Sequence, residues 1–230
     1  MELENYRVEK APPTIYYIPE FITKEQEETL LKQIYAAPKP KWTQLSHRRL
    51  QNWGGLPHPK GMIAEPLPQW LQVCVKQLTA IKAIDDKIPN HVLVNEYETG
   101  QGIMPHEDGP LFYPTVATIS LGSHTFLDFY HHLNNVENNE AQLDHSFESR
   151  HFLSILLEPR SLILVKESMY ENYLHGIAEQ KEDKITDIIA NLDHCPGVKL
   201  GDVLQRTTRV SLTIRHVPKV LKSKIFLKCK

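Results

Sequence analysis

The sequence predicts an α+β fold, with two supporting helices ahead of strands that close into a double-stranded β-helix, or jelly roll. Three observations point there. Two stretches with helical periodicity lie in the first 81 residues, at 23–37 and 68–81. From His91 onward the period changes to two, and short apolar-alternating runs follow one another between Gly, Pro and Asn turns. The chain has 230 residues, 41% of them hydrophobic, which suits one domain with a full core. Helices followed by many short strands favour a sheet-on-sheet sandwich with helices at one side.

The elements follow in order. Ile15–Ile18 reads as a strand after Pro12-Pro13. Thr23 with Gln26 is a capping box, with acids in the first turn. Leu30, Leu31 and Ile34 supply the buried stripe, and Pro38 and Pro40 end the helix. Pro68 opens a second helix that runs to about Ile81, with Trp70, Leu71, Cys74, Leu78 and Ile81 on one side. Strands follow at 91–97, 115–122, 123–130, 152–157 and 161–165, the last two joined by a turn at 158–160. The run 169–177 reads as apolar-aromatic and extended, and 209–216 as a clean strand. Residues 131–150 and 178–206 are polar and aperiodic, and read as an exposed insertion and a long mobile connection.

The overall charge of −2 selects no partner. Its distribution is less even. Lys39, Lys41, Arg48, Arg49 and Lys60 share an acid-free stretch, and a second group of lysines follows Lys219. Such patches contact phosphates or simply solubilise a surface. Three scattered cysteines build neither a disulfide framework nor a Cys-x-x-Cys site, so a reducing compartment is expected. The charged N-terminus has no apolar signal region and no run is long enough to span a bilayer. The expected location is cytoplasm and nucleus, without a membrane partner.

The chemistry centres on Met104-Pro105-His106-Glu107-Asp108-Gly109-Pro110. In an extended segment His106 and Asp108 share a face. They make two-thirds of a 2-His-1-carboxylate iron site, or else a surface turn closed by Gly-Pro. Chance alone supplies about half an instance of His-x-Asp at this composition. His175 is the candidate third ligand. Gly176 after it permits close backbone approach, and the alternative is a hydrogen-bonded core histidine. In 209–215, Arg209, Ser211, Thr213 and Arg215 share one face, and Val210, Leu212 and Ile214 the other. Ordinarily the polar face would be solvated. Two guanidinium forks beside a metal site would instead bind a dicarboxylate. Upstream, 41–61 sets Trp42, His47, Arg48, Arg49, Asn52 and Trp53 on a Gly/Pro-punctuated frame. That frame would suit base stacking and phosphate contact, or a hairpin whose tryptophans cover the core edge.

His106-x-Asp108, His175-Gly176-Ile177 and Arg209-x-Ser211-x-Thr213-x-Arg215, in that order, resemble the AlkB family of iron- and 2-oxoglutarate-dependent dioxygenases. Asn95-x-Tyr97 and Ser120-Leu121-Gly122 add to the resemblance, which runs from about Tyr16 to Ile214. It implies one dioxygenase domain over 1–230, with 41–61 as a substrate-recognition lid. It also implies Fe(II) on His106, Asp108 and His175, with 2-oxoglutarate and O2 as cosubstrates. Arg209 would pair with the distal carboxylate, helped by Asn95 and Tyr97, and Arg215 would orient Asp108. Ser211 stands where the family usually has Asn, and the gap from His175 to Arg209 is long for the family. The expected substrate is a methylated base of RNA or DNA, single-stranded or flipped. The alternatives are a weakly active or inactive reader of modified RNA that keeps the site, an oxygenase acting on protein, and a zinc hydrolase, which would make no use of the arginine face.

Overall fold

The computed structural model describes residues 2–133 and 146–221. The chain opens with strand β1 (Ile15–Ile18) and helix α1 (Lys24–Tyr35), followed by a hairpin of β2 (Thr43–Leu45) and β3 (Arg48–Trp53). A short strand β4 (Met62–Ile63) precedes helix α2 (Gln69–Ala80), and β5 (His91–Tyr97) then begins the continuous run of strands. That run comprises β6 (Ile103–His106), β7 (Thr115–Leu121), β8 (Thr125–His131), β9 (His151–Leu157) and β10 (Leu162–Lys166). The helical turn α3 (Phe147–Arg150) leads into β9, and α4 (Glu167–Glu171) separates β10 from β11 (Tyr173–Ile177). The chain closes with β12 (Glu182–Lys184), β13 (Val203–Gln205), β14 (Arg209–Arg215) and β15 (Val220–Leu221).

Two antiparallel sheets make the jelly roll. The larger has seven strands in the order β1-β10-β7-β14-β5-β3-β2, and the smaller has four in the order β6-β11-β8-β9. Period-two alternation sorts each strand of the larger sheet. Ile18, Val92, Val94, Ile119, Leu164, Leu212 and Ile214 face outward, under Leu30 and Ile34 of α1 and Leu71 and Leu78 of α2. Each of those helix side chains is about 5% exposed or less, so each contributes roughly 1.5–3 kcal/mol of apolar burial. The inner face packs Tyr17, Val116, Ile163 and Val165 against Phe129, Leu153 and Ile155 of the smaller sheet. The helices thus seal the outer face of the large sheet and leave the space between the sheets for a site.

Local chemistry sets the boundaries. Thr23 Oγ1 accepts from the Gln26 backbone N–H at 3.2 Å, and the Thr23 N–H donates to Gln26 Oε1 at 2.9 Å, so the capping box is complete. At the other end of α1, fully buried Gln51 donates from Nε2 to the Ile34 carbonyl at 2.9 Å, satisfying one of the orphan carbonyls there. Its Oε1 accepts from Trp53 Nε1 at 2.9 Å, which fixes that indole on the outer side.

Two expectations need correction. Residues 167–171 form the short helix α4, so the extended run before His175 begins only at Tyr173. Residues 178–206 are not a loose connection. β12 pairs with β13, and Asp183, fully buried, takes both Nε and Nη2 of Arg206 at 2.6 and 2.7 Å. In the same segment Ile185, Ile189 and Cys195 are buried in the inner core, and Asn191 pairs with both backbone groups of Leu156 at 2.8–2.9 Å. A charged pair and an amide carry the packing here, which is why the composition reads as loop. The arginine face of β14, expected at a site, is indeed closed to water: Arg209 is 4% exposed and Arg215 is 8%. Of the insertion read at 131–150, residues 134–145 lie outside the described residues, as does the lysine-rich end from 222. Among the described residues Cys74 and Cys195 are free and buried, and no helix is long and apolar enough to cross a membrane.

Candidate active site

Strand pairing creates the first cluster. β6 and β11 lie side by side in the smaller sheet with His106 opposite His175. The strands approach so closely that a Cβ on Gly176 would sit 2.9 Å from the Ile103 carbonyl oxygen and 3.0 Å from the Pro105 nitrogen. This is the physical need for glycine that the sequence suggested. The two imidazole centroids are 4.6 Å apart. Beyond His106 the chain turns through Gly109, at φ +82°, and Tyr170 Oη donates to the Gly109 carbonyl at 2.9 Å. Asp108, just before that turn, lies beside the histidines, and one donor atom from each of His106, Asp108 and His175 lies within 4.8 Å of the others.

The donor atoms suit a cation. His106 Nδ1 lies 2.8 Å from the Met104 carbonyl, which only accepts. Nδ1 is therefore the donor in that contact, which leaves Nε2 as the ring nitrogen available to a metal. Burial pushes the His175 pKa down to about 4, so its ring is neutral at pH 7. Arg215 Nη2 donates to Asp108 Oδ1, while Asp108 Oδ2 is buried with no hydrogen-bond partner. A buried, unsatisfied carboxylate oxygen is costly. Two imidazoles and one carboxylate with a free oxygen are the donor set of a 2-His-1-carboxylate metal site, so the residues fit Fe(II).

A second cluster lies deeper on the facing sheet. β14 pairs with β5 so that Arg209 is opposite Tyr97, Ser211 opposite Asn95, and Arg215 opposite His91. With the metal-type cluster, Asn95, Tyr97, Arg209, Ser211 and Arg215 line one cavity of about 270 Å³. Arg209 donates from Nη2 to Ser120 Oγ at 3.0 Å, but its Nε is buried without a partner. No carboxylate meets it among the described residues, and burial pushes its pKa down to about 10. A cation this strained awaits an anion. Arg215 is better supported, with the Phe112 ring 4.4 Å from the guanidinium carbon and Asp108 in front. His91 stands behind Phe112, with 5.8 Å between ring centroids, and burial pushes its pKa down to about 4.

Every residue expected at the metal and cosubstrate ends therefore meets in one cavity: His106, Asp108, His175, Asn95, Tyr97, Arg209, Ser211, Thr213 and Arg215. The six residues of 41–61 do not come together. Arg48 lines the cavity and donates from Nε to Asn95 Oδ1 at 3.3 Å. Asn52 Oδ1 lies 3.4 Å from His91 Nε2. Arg49 belongs to the other side, paired with Glu96 at 2.5 and 3.0 Å and stacked 4.1 Å from the Trp42 ring. Trp53 packs edge-on to Trp70 over the outer core, 5.4 Å between centroids. His47 lies out at the turn, 3.2 Å from Glu179. Ser120, Phe112 and Tyr170 are site residues that sequence reasoning missed. Only Ser120 carried any signal, as part of a segment already noted for its resemblance.

A cavity between two antiparallel sheets, with a metal-ligand triad at one end and an unmatched buried arginine at the other, defines the architecture of a 2-oxoglutarate-dependent oxygenase. Residues 41–215 match the 2OG-Fe(II) oxygenase superfamily. The chain belongs to that superfamily and, within it, to the AlkB family, and it is an oxidoreductase of the dioxygenase class. It is 55% identical over 227 residues to the Danio rerio protein named "Probable RNA/DNA demethylase ALKBH6", an alignment covering 99% of this chain and 95% of that one. It is 25% identical over 222 residues to the Xenopus tropicalis tRNA (carboxymethyluridine(34)-5-O)-methyltransferase alkbh8, covering 90% of this chain and 32% of that protein. The solved structure of OsALKBH1 shares the fold at a TM-score of 0.57 with 15% identity, covering 90% of this chain and 99% of that one.

Proposed function

We propose that the protein removes methyl groups oxidatively from bases of RNA or DNA presented single-stranded or flipped. The observation that carries this reading is the placement, in one buried cavity, of the triad and of Arg209, a cation with no protein carboxylate to match it. The Danio rerio relative's name supplies the substrate class.

His106 Nε2, Asp108 Oδ2 and His175 would hold Fe(II). With 2-oxoglutarate and O2, the bound metal supplies the chemistry that couples decarboxylation to succinate and CO2 with hydroxylation of a substrate C–H bond; a hydroxylated N-methyl group then releases formaldehyde. The chain's own residues position the reactants. Arg209, anchored on Ser120, takes the distal carboxylate, with Tyr97 and Asn95 as hydrogen-bonding neighbours. Ser211 and Thr213, on the same face, complete that wall, and the shorter reach of Ser211 leaves the amide of Asn95 opposite it as the longer polar arm. Arg215, stacked on Phe112, holds Asp108 through Oδ1 and leaves Oδ2 as the oxygen that would bind the metal. Tyr170 holds the turn after Asp108 through the Gly109 carbonyl. A base in a stacked duplex could not reach a cavity inside the sandwich, so it must enter unstacked, past the rim formed by the 41–61 hairpin.

The test is mass spectrometry of methylated RNA, DNA and peptide pools after incubation with Fe(II), 2-oxoglutarate and O2, scored against Asp108→Ala. Loss of methyl groups from nucleic acid in the native protein alone is expected. Change confined to peptides would point to a protein oxygenase. Tight RNA binding with no turnover on any pool would point to a reader.

A further inference from the structure

A second cavity, of about 310 Å³, lies on the face of the smaller sheet turned away from the triad. Period two along β8 separates the two: Leu127 lines the first cavity, and Asp128 and Tyr130 line the second. β9, α3 and the segment after β11 supply the other walls. That segment is docked on β9. The Ser154 N–H donates to the Ile188 carbonyl at 3.2 Å, and the Ala190 N–H donates to the Ser154 carbonyl at 2.9 Å.

Among the described residues the walls carry rings and carboxylates but no lysine or arginine. Tyr130 and Phe147 stand edge to face, with centroids 5.8 Å apart and planes at 74°, and so make a corner. His151 adds a third ring, 5.3 Å from Tyr130. Asp128, 6% exposed, shares the cavity with them. Its Oδ1 accepts from Ser154 Oγ at 2.6 Å, and no hydrogen bond among the described residues reaches Oδ2. Within ion-pair distance its one basic neighbour among the described residues is His151 Nε2, at 3.6 Å. Burial raises the Asp128 pKa and Asp183 adds to the rise, against the opposite pull of Ser154, His151 and Arg206. Glu148 brings a second carboxylate. Burial pushes the Tyr130 pKa up to about 12, and Asp128 and Glu148 add to that shift. Phe147 already carries one cation: the guanidinium carbon of Arg150 lies 4.5 Å from its centroid. Arg150 is held there by the carbonyls of Ser146 and His131 and is no part of the cavity wall.

Aromatic faces attract a cation through their quadrupole, and a cation without N–H groups asks for none of the acceptors that rings lack. We propose that this second cavity binds a quaternary ammonium group, with Tyr130 and Phe147 against its methyl groups and Asp128 and Glu148 supplying the opposite charge. The site is separate from the triad, and the proposal does not rest on the nucleic-acid reading. A trimethylated lysine of a peptide and a free quaternary amine share this chemistry, and the probes below distinguish them.

The test is titration calorimetry on the full chain, loaded with Mn(II) and 2-oxoglutarate without O2. The probes are a short peptide with one trimethyllysine, the same peptide with unmodified lysine, and tetramethylammonium chloride. The trimethyllysine peptide should bind about tenfold more tightly than the unmodified one. Tetramethylammonium binding as tightly as that peptide would support a free amine as the ligand, and weaker binding would support the lysine side chain. Phe147→Leu and Asp128→Asn should each weaken the trimethyllysine peptide by about tenfold, and Tyr130→Phe, which keeps the ring, should leave it unchanged. A native Mn(II) stoichiometry shows that these variants remain folded. His106→Ala, on the other face of the sheet, should bind the peptide as the native chain does. The proposal is wrong if neither quaternary probe binds, if the two peptides bind equally, or if Phe147→Leu and Asp128→Asn both keep native affinity. Loss of peptide binding in His106→Ala would also overturn it, since the peptide would then occupy the cavity of the triad.

Discussion

Replacing Arg209 by Met separates the needs of function from those of stability. The guanidinium is 4% exposed, has one hydrogen bond, to Ser120, and faces no carboxylate among the described residues. Burial brings its pKa from the ordinary 12.5 down to about 10. At about 1.4 kcal/mol per tenfold change in acidity, this is roughly 3 kcal/mol of uncompensated desolvation. The folded-state pKa is depressed, so below pH 10 the group is charged in folded and unfolded chains alike and the whole cost is present at pH 7; it is relieved only above pH 10. Met has similar reach and no charge. It removes the desolvation cost and forfeits one hydrogen bond worth about 1 kcal/mol. Arg209→Met should therefore stabilise the ligand-free protein by about 2 kcal/mol, a Tm rise of about 4–8 °C for a chain of this size. The same change removes a bidentate, charge-assisted contact to the dicarboxylate, worth about 3–4 kcal/mol, so 2-oxoglutarate should bind about 10²–10³-fold more weakly. Scanning calorimetry and titration calorimetry read the two effects separately. A lower Tm together with native 2-oxoglutarate affinity would refute the reasoning, since Arg209 would then be a structural cation with no anionic ligand.

Other perturbations follow the same logic. Gly176→Ala places a Cβ 2.9 Å from the Ile103 carbonyl, so β6 and β11 must part. The expected cost is about 1–3 kcal/mol in stability and, because the two histidines ride on those strands, a loss of divalent-metal affinity seen in a Mn(II) titration. Asp183→Asn leaves buried Arg206 unmatched and should cost about 3–5 kcal/mol in urea unfolding, while a change under 1 kcal/mol would show that the 182–205 ribbon is not held by this pair. The Asp183 carboxyl is held down to about 2 by its hydrogen bonds with His124 and Arg206, against the opposing effect of burial. Its stabilising contribution is thus complete above about pH 4 and lost as pH falls toward 2, a steepening of acid unfolding that Asp183→Asn should abolish. Thr23→Ala removes one half of the capping box and should cost about 1 kcal/mol, with cosubstrate affinity unchanged because α1 supports only the outer face.

Much of the site was legible because it sits on regular strands. Period two put Arg209, Ser211, Thr213 and Arg215 on one face, and the structure places all four in the cavity. His106 and Asp108 come together as expected, although β6 ends at His106 and Asp108 lies beyond the strand, just ahead of the Gly109 turn. What could not be read depends on register and on polar packing. Ser120 meets Arg209 because β7 pairs with β14 with Ser120 opposite Ser211, a register that no local pattern reveals. Phe112 lies in an irregular turn with no periodicity to place it under Arg215. The 41–61 segment reads from sequence as one surface, but its hairpin spans 43–53. Joined to β5, it has two faces, so Arg48 and Arg49 serve opposite sides of the sheet. The 178–206 segment looked unstructured because its buried anchors, Asp183, Asn191 and Arg206, are of types usually found outside.

The central claim is that His106, Asp108 and His175 hold one metal ion and that the cosubstrate is clamped between that ion and Arg209. An anaerobic Mn(II) titration followed by electron paramagnetic resonance tests it most directly. The native chain should bind one ion, more tightly when 2-oxoglutarate is present. His106→Ala, Asp108→Ala and His175→Ala should each abolish the site, and Arg209→Met should keep the ion but lose the tightening. Full stoichiometry in His175→Ala, or a tightening by 2-oxoglutarate that survives Arg209→Met, would contradict the account.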